Sequence, residues 1–98
     1  MENKYLPIGS VVKISDSQKK LMITGYLPIK TNENEERKIW DYCGCLYPEG
    51  IITTSTNYVF NQDKIEEVCF LGLEDDEQKK FQEKIQETVR KLRNLDNN

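Results

Sequence analysis

Ile39-Trp40-Asp41-Tyr42-Cys43-Gly44-Cys45-Leu46-Tyr47 alternates in side-chain character and is closed off by Pro48-Glu49-Gly50. Strand side chains repeat every two residues, so Trp40, Tyr42 and Leu46 share one face, while Cys43, Cys45 and Tyr47 share the other. Gly44 leaves room for a neighbouring chain. Apolar groups on both faces, followed by a Pro-Glu-Gly turn signal, predict a strand set within a curled sheet.

Towards the N-terminus, Leu6 to Ile14 reads as a first strand, with Pro7 tolerated only at its beginning because proline donates no ladder hydrogen bond. Leu21 to Leu27 reads as a second strand, with Gly25 a candidate bulge. Between this strand and Ile39, Pro28 to Lys38 is polar and charged, which predicts a surface loop. Towards the C-terminus, Ile51 to Thr56 fits a short strand or an extended loop, and Tyr58-Val59-Phe60 a short strand. Asn61 is placed to cap one helical turn through Glu66, and Val68 to Leu71 forms a last strand ending at Gly72.

The tail has a different period. Phe81, Ile85, Val89, Leu92 and Leu95 recur at helical spacing, Asp75 and Asp76 stand where a helix cap belongs, and Arg90, Lys91 and Arg93 suit the opposite end of the dipole. The stripe is narrow and resembles a coiled-coil seam. Several short strands with apolar residues on both faces favour closure, which removes exposed edges. The expectation is an α+β protein: about five antiparallel strands in an SH3-like or partly open barrel, residues 1–74, and a C-terminal amphipathic helix with a frayed tail, residues 75–98.

Composition narrows function. The 98 residues allow one domain that buries about two-thirds of its unfolded surface. A net charge of −3 and a pI near 5.0 speak against a general nucleic-acid binder. The opening Met1-Glu2-Asn3-Lys4-Tyr5 has no signal-peptide pattern and no stretch is long enough to span a bilayer, so a cytoplasmic location is expected. Cys43, Cys45 and Cys69 are an odd set, read as small apolar strand residues without disulfides.

Without histidine, the commonest general base and metal ligand is missing. Neither G-x-G-x-x-G nor G-x-x-x-x-G-K occurs. The carboxylates of Glu33, Glu35 and Glu36 read as a solvated loop and those of Glu74 to Glu77 as helix-start charge. Asp41, inside an apolar strand, reads as a structural acceptor. No catalytic residue, cofactor or metal is expected. Trp40, Tyr42, Tyr47, Tyr58 and Phe60 fit a small core better than a base-stacking platform.

The helical stripe is the expected partner surface. Its five apolar groups would contribute roughly 7–15 kcal/mol gross if fully buried. A helix of about 20 residues spans roughly 30 Å, longer than a small barrel covers. Phe81 and Ile85 are therefore expected against the protein's own sheet, and Val89, Leu92 and Leu95 against a protein partner or a second copy of the helix.

Leu6-Pro7-Ile8-Gly9-Ser10-Val11-Val12, Lys20-Leu21-Met22-Ile23-Thr24-Gly25-Tyr26 and Asp41 to Gly50, followed in order by Phe60-Asn61, Ile65-Glu66-Glu67-Val68 and Phe70-Leu71-Gly72, resemble a family of small Firmicute proteins, the domain of unknown function DUF4176. Cys43 and Cys45 stand where aliphatic residues are more usual in it. Members are typically encoded beside LXG-type toxins of the type VII secretion system. The resemblance implies an accessory role: an adaptor or chaperone for a helical LXG-type toxin, with no enzymatic activity. An immunity protein neutralising a toxin is the alternative, and a small-barrel nucleic-acid binder a more distant one.

Overall fold

The computed structural model describes residues 5–15, 17–31, 34, 36–53 and 57–96, with side chains up to Leu92. In chain order the strands are β1 (Val11–Ile14), β2 (Lys20–Tyr26), β3 (Ile29–Thr31), β4 (Arg37–Ile39), β5 (Tyr42–Tyr47), β6 (Tyr58–Phe60) and β7 (Ile65–Phe70), with a 3-10 turn at Gln62–Lys64 and one helix, α1 (Asp76–Asp96). Five of the strands form an antiparallel sheet in the order β6-β5-β2-β1-β7, and β3 and β4 pair separately.

The β2–β5 ladder organises the rest. Leu21 faces Leu46, Ile23 faces Gly44 and Tyr26 faces Tyr42, with a register shift between Ile23 and Gly25, where the glycine was expected to bend the strand. Gly44 is required there, since a Cβ would stand 2.6 Å from the Met22 carbonyl oxygen. Directly opposed residues share a face. Val12, Leu21, Ile23, Tyr42 and Phe60 thus form one buried layer, which Tyr5 and Ile85 of α1 complete. Burying a side chain of this size stabilises by roughly 1.5–3 kcal/mol. The other face carries the row Cys45, Met22, Val11 and Phe70, in which Cys45 and Val11 are buried and Phe70 is exposed.

Of the two expected forms, SH3-like or partly open, the sheet takes the open one and does not close. β6 and β7 are its edges. The layer that closure would have covered is covered instead by α1 and by the segment 5–10. That segment is not part of a long first strand: it turns at Ile8–Gly9, where Ser10 N–H donates to the Pro7 carbonyl at 3.2 Å and Gly9 takes a positive φ. Gly9 N–H donates to the Ile23 carbonyl at 2.9 Å, Ile23 N–H to the Ser10 carbonyl at 2.8 Å, and Tyr5 N–H to Gln82 Oε1 at 2.9 Å. Gly72 N–H donates to the buried Ser10 hydroxyl at 2.9 Å, and a side chain at position 72 would collide with the Ile8 carbonyl.

The surface loop expected over Pro28 to Lys38 is a hairpin arm. Leu27 N–H donates to the Asp41 carbonyl at 3.1 Å and Trp40 N–H to the Pro28 carbonyl at 2.9 Å, carrying the β2–β5 pairing outward into β3–β4. All six residues of these two strands are exposed, so no apolar periodicity marks them. Ile51 and Ile52 are exposed and outside any strand, while 54–56, the rest of that expected element, lie outside the described residues. The Asn61 side chain does not cap the turn it precedes; its Oδ1 accepts from Asp41 N–H at 3.0 Å.

Candidate functional site

Where α1 begins, the linker after β7, the segment 5–10 and the end of β2 converge. Asp75 caps the helix, its Oδ1 accepting Gln78 N–H at 2.9 Å and its carbonyl accepting Lys79 N–H at 3.0 Å. The first two turns then present Glu77, Gln78 and Phe81 towards Ile8, Tyr26 and Leu73, and these residues with Asp75 line an open groove of about 400 Å³. Ile8, Leu73 and Phe81 remain 49%, 75% and 52% exposed around this one concavity. The Gln78 Oε1 is enclosed and has no hydrogen-bond partner.

Below the groove is a chain of rings. Phe81 meets Tyr26 at 5.9 Å between centroids, Tyr26 meets Tyr5 at 5.9 Å and Tyr42 at 6.0 Å, and Tyr42 stacks on Phe60 at 5.4 Å. The hydroxyls have partners. Tyr26 donates to the Leu6 carbonyl at 2.5 Å, Tyr42 accepts Leu6 N–H at 2.9 Å, and Tyr5 donates to Asp41 Oδ1 at 2.8 Å. Asp41 Oδ2 accepts Gln62 N–H at 2.9 Å, so this carboxylate ties the N-terminal segment to the β6–β7 connection. Burial pushes the Tyr42 phenol well above its ordinary pKa, against the opposing pull of the Leu6 backbone, and burial also raises Tyr26. These phenols are held protonated as part of the core.

The helical stripe divides differently from the expected split. Ile85 is buried in the core and Val89 packs against it, whereas Phe81 is half exposed in the groove wall. Val89 had been expected on the partner side. Leu92 is half-buried, and the Leu95 side chain lies outside the described residues. Of the aromatics weighed as a platform, Tyr42 and Phe60 are core residues, Tyr47 and Tyr58 stay exposed, and Trp40 carries Lys38 Nζ at 4.2 Å from its ring centre. Leu73, Ile8 and Gln78 did not stand out in the sequence as surface residues of interest. The available signal was Leu73, a lone large apolar residue beside Glu74 to Glu77.

The cysteines are free thiols, Cys45 buried, Cys43 half-buried and Cys69 exposed. Among the described residues no group of three or more acidic, Cys or His side chains is placed to hold a metal ion, and no helix is long and apolar enough to cross a membrane.

These features define a small α+β domain: an open antiparallel sheet sealed on one face by a single helix, with an apolar groove at the helix start. The chain belongs to the DUF4176 family of domains of unknown function, whose model matches residues 5–81. The match covers the sheet, the groove and the first turns of α1. No curated protein and no solved structure matches it.

Proposed function

We propose that this protein is an accessory factor, an adaptor or chaperone that binds an LXG-type toxin for type VII secretion and acts by docking rather than by catalysis. The observation that carries the reading is the groove: a small domain whose core is already completed by Ile85 and Val89 still leaves Ile8, Leu73 and Phe81 open to water around one concavity. Exposed apolar clusters of this kind mark protein contact sites. The toxin as partner, and the cytoplasm as the place of binding, follow from the family resemblance of the quoted segments. The test is a pull-down with the tagged chain from the native host, followed by binding to truncated toxins. Capture of an LXG-type protein through its N-terminal helical region supports the reading. Capture through the toxic domain replaces it with immunity, and failure to bind a soluble neighbouring toxin overturns it.

A further inference from the structure

The exposed surfaces differ in what they can accept. Edge strand β7 is a poor template for strand addition, because its pairing with β1 breaks register between Val11 and Val12 and again between Lys13 and Ile14, and Glu66 and Glu67 stand on it. The β3–β4 arm places Lys30 opposite Lys38, and all six residues of its strands are exposed. The groove at the start of α1 has shape, apolar lining and charge of one sign together.

We propose that this groove receives the apolar side chains of a basic amphipathic helix presented by a protein partner; the assignment rests on the reading of the chain as a docking protein and names the chemistry of what docks. One wall is a face of α1 (Glu77, Gln78, Phe81), and the other is Ile8, Tyr26 and Leu73. Neither wall offers a free strand edge, so an extended peptide would leave its backbone groups unpaired there. A helix brings its own backbone hydrogen bonds and supplies apolar groups at i, i+3, i+4 and i+7, matching a short apolar floor. The rim selects the charge. Among the described lining residues Asp75 and Glu77 are carboxylates and none is cationic. They belong to the run Glu74-Asp75-Asp76-Glu77, ahead of Lys79 and Lys80. Lysines or arginines flanking the partner's apolar stripe meet these carboxylates, and an acidic helix is repelled.

The probe is a fluorescent 18-residue peptide of leucine and lysine with leucines at i, i+3, i+4 and i+7. It is compared with a scrambled peptide of the same composition and with one carrying glutamate for lysine. Anisotropy is read on the full chain, on Leu73→Ser and on Glu77→Lys. Both positions are exposed, and melting curves matching the unsubstituted chain establish that folding is intact. The expected result is binding of the patterned basic peptide, weakened roughly tenfold or more by scrambling, by charge reversal and by either substitution. Equal binding of the scrambled peptide, or unchanged binding by both variants, overturns the proposal. The same variants in the toxin pull-down separate the two readings. Toxin captured equally by variant and unsubstituted chain removes the groove and leaves the accessory role, whereas a peptide that docks with no toxin captured keeps the groove and removes the toxin.

Discussion

Tyr42 shows how one side chain couples burial to pH. Its ring is fully buried against Tyr5, Tyr26 and Phe60, and burial raises its phenol pKa far above the ordinary value of 10.0. Below pH 10 the folded and unfolded chains both hold this proton. Above it the unfolded chain releases the proton first, so the unfolded state binds fewer protons and stability falls as pH rises, by up to about 1.4 kcal/mol per pH unit for each such group. Thermal unfolding followed from pH 8 to 11.5 is expected to show a melting temperature that declines from about pH 10. In Tyr42→Phe the decline is shallower, even though the variant starts lower for lack of an acceptor at Leu6 N–H. Asp41 makes a separate prediction. Its carboxylate accepts from Tyr5 and from Gln62 N–H, and both lose their partner in Asp41→Ala, at a cost of about 1–3 kcal/mol in chemical denaturation. That Asp41 serves as an acceptor was legible from a carboxylate standing in an apolar strand. Its partners, distant in sequence, were not.

The elements were legible in proportion to how strongly each one's environment imposes a period. β2 and β5 were legible because one face of each, carrying Leu21, Ile23 and Tyr42, is buried in the core while the other, carrying Met22, Thr24 and Cys43, is only partly covered, and α1 repeats at helical spacing because Ile85 and Val89 pack on the sheet. β3 and β4 carry no such imprint, since water surrounds both their faces, and their pairing follows from the ladder beside them. The division of the helical stripe was hidden for a related reason. Periodicity names a face, but the angle at which α1 lies on the sheet decides that Val89 is packed and Phe81 left half open. The difference is measurable by differential scanning calorimetry. Ile85→Ala is expected to lose about 2–5 kcal/mol and a large part of the melting transition. Phe81→Ala, at 52% exposure and one ring contact with Tyr26, is expected to lose about 1 kcal/mol or less.

At the scale of the whole molecule, two parts of the chain stand in different relations to the core. The five-stranded sheet, the segment 5–10 and α1 share one apolar layer, whereas β3 and β4 pair with each other and contribute no residue to it. The groove is likewise a product of assembly: Ile8, Tyr26, Leu73 and Phe81 come from four separate stretches, and only the docking of α1 beside the segment 5–10 brings them together. The fold and its candidate site therefore depend on the same contacts, while the arm depends on neither. Joining Pro28 to Trp40 through a two-residue turn, with 29–39 removed, retains the bond from Leu27 N–H to the Asp41 carbonyl and every residue of the core cluster. Loop shortening of this kind changes closure entropy by only about 1 kcal/mol. The shortened chain is expected to melt within about 5 °C of the full one and to keep the protected amides of β2 and β5 in hydrogen exchange. A collapse of that protection would mean that the arm completes the sheet, and the separation between framework and arm would have to be abandoned.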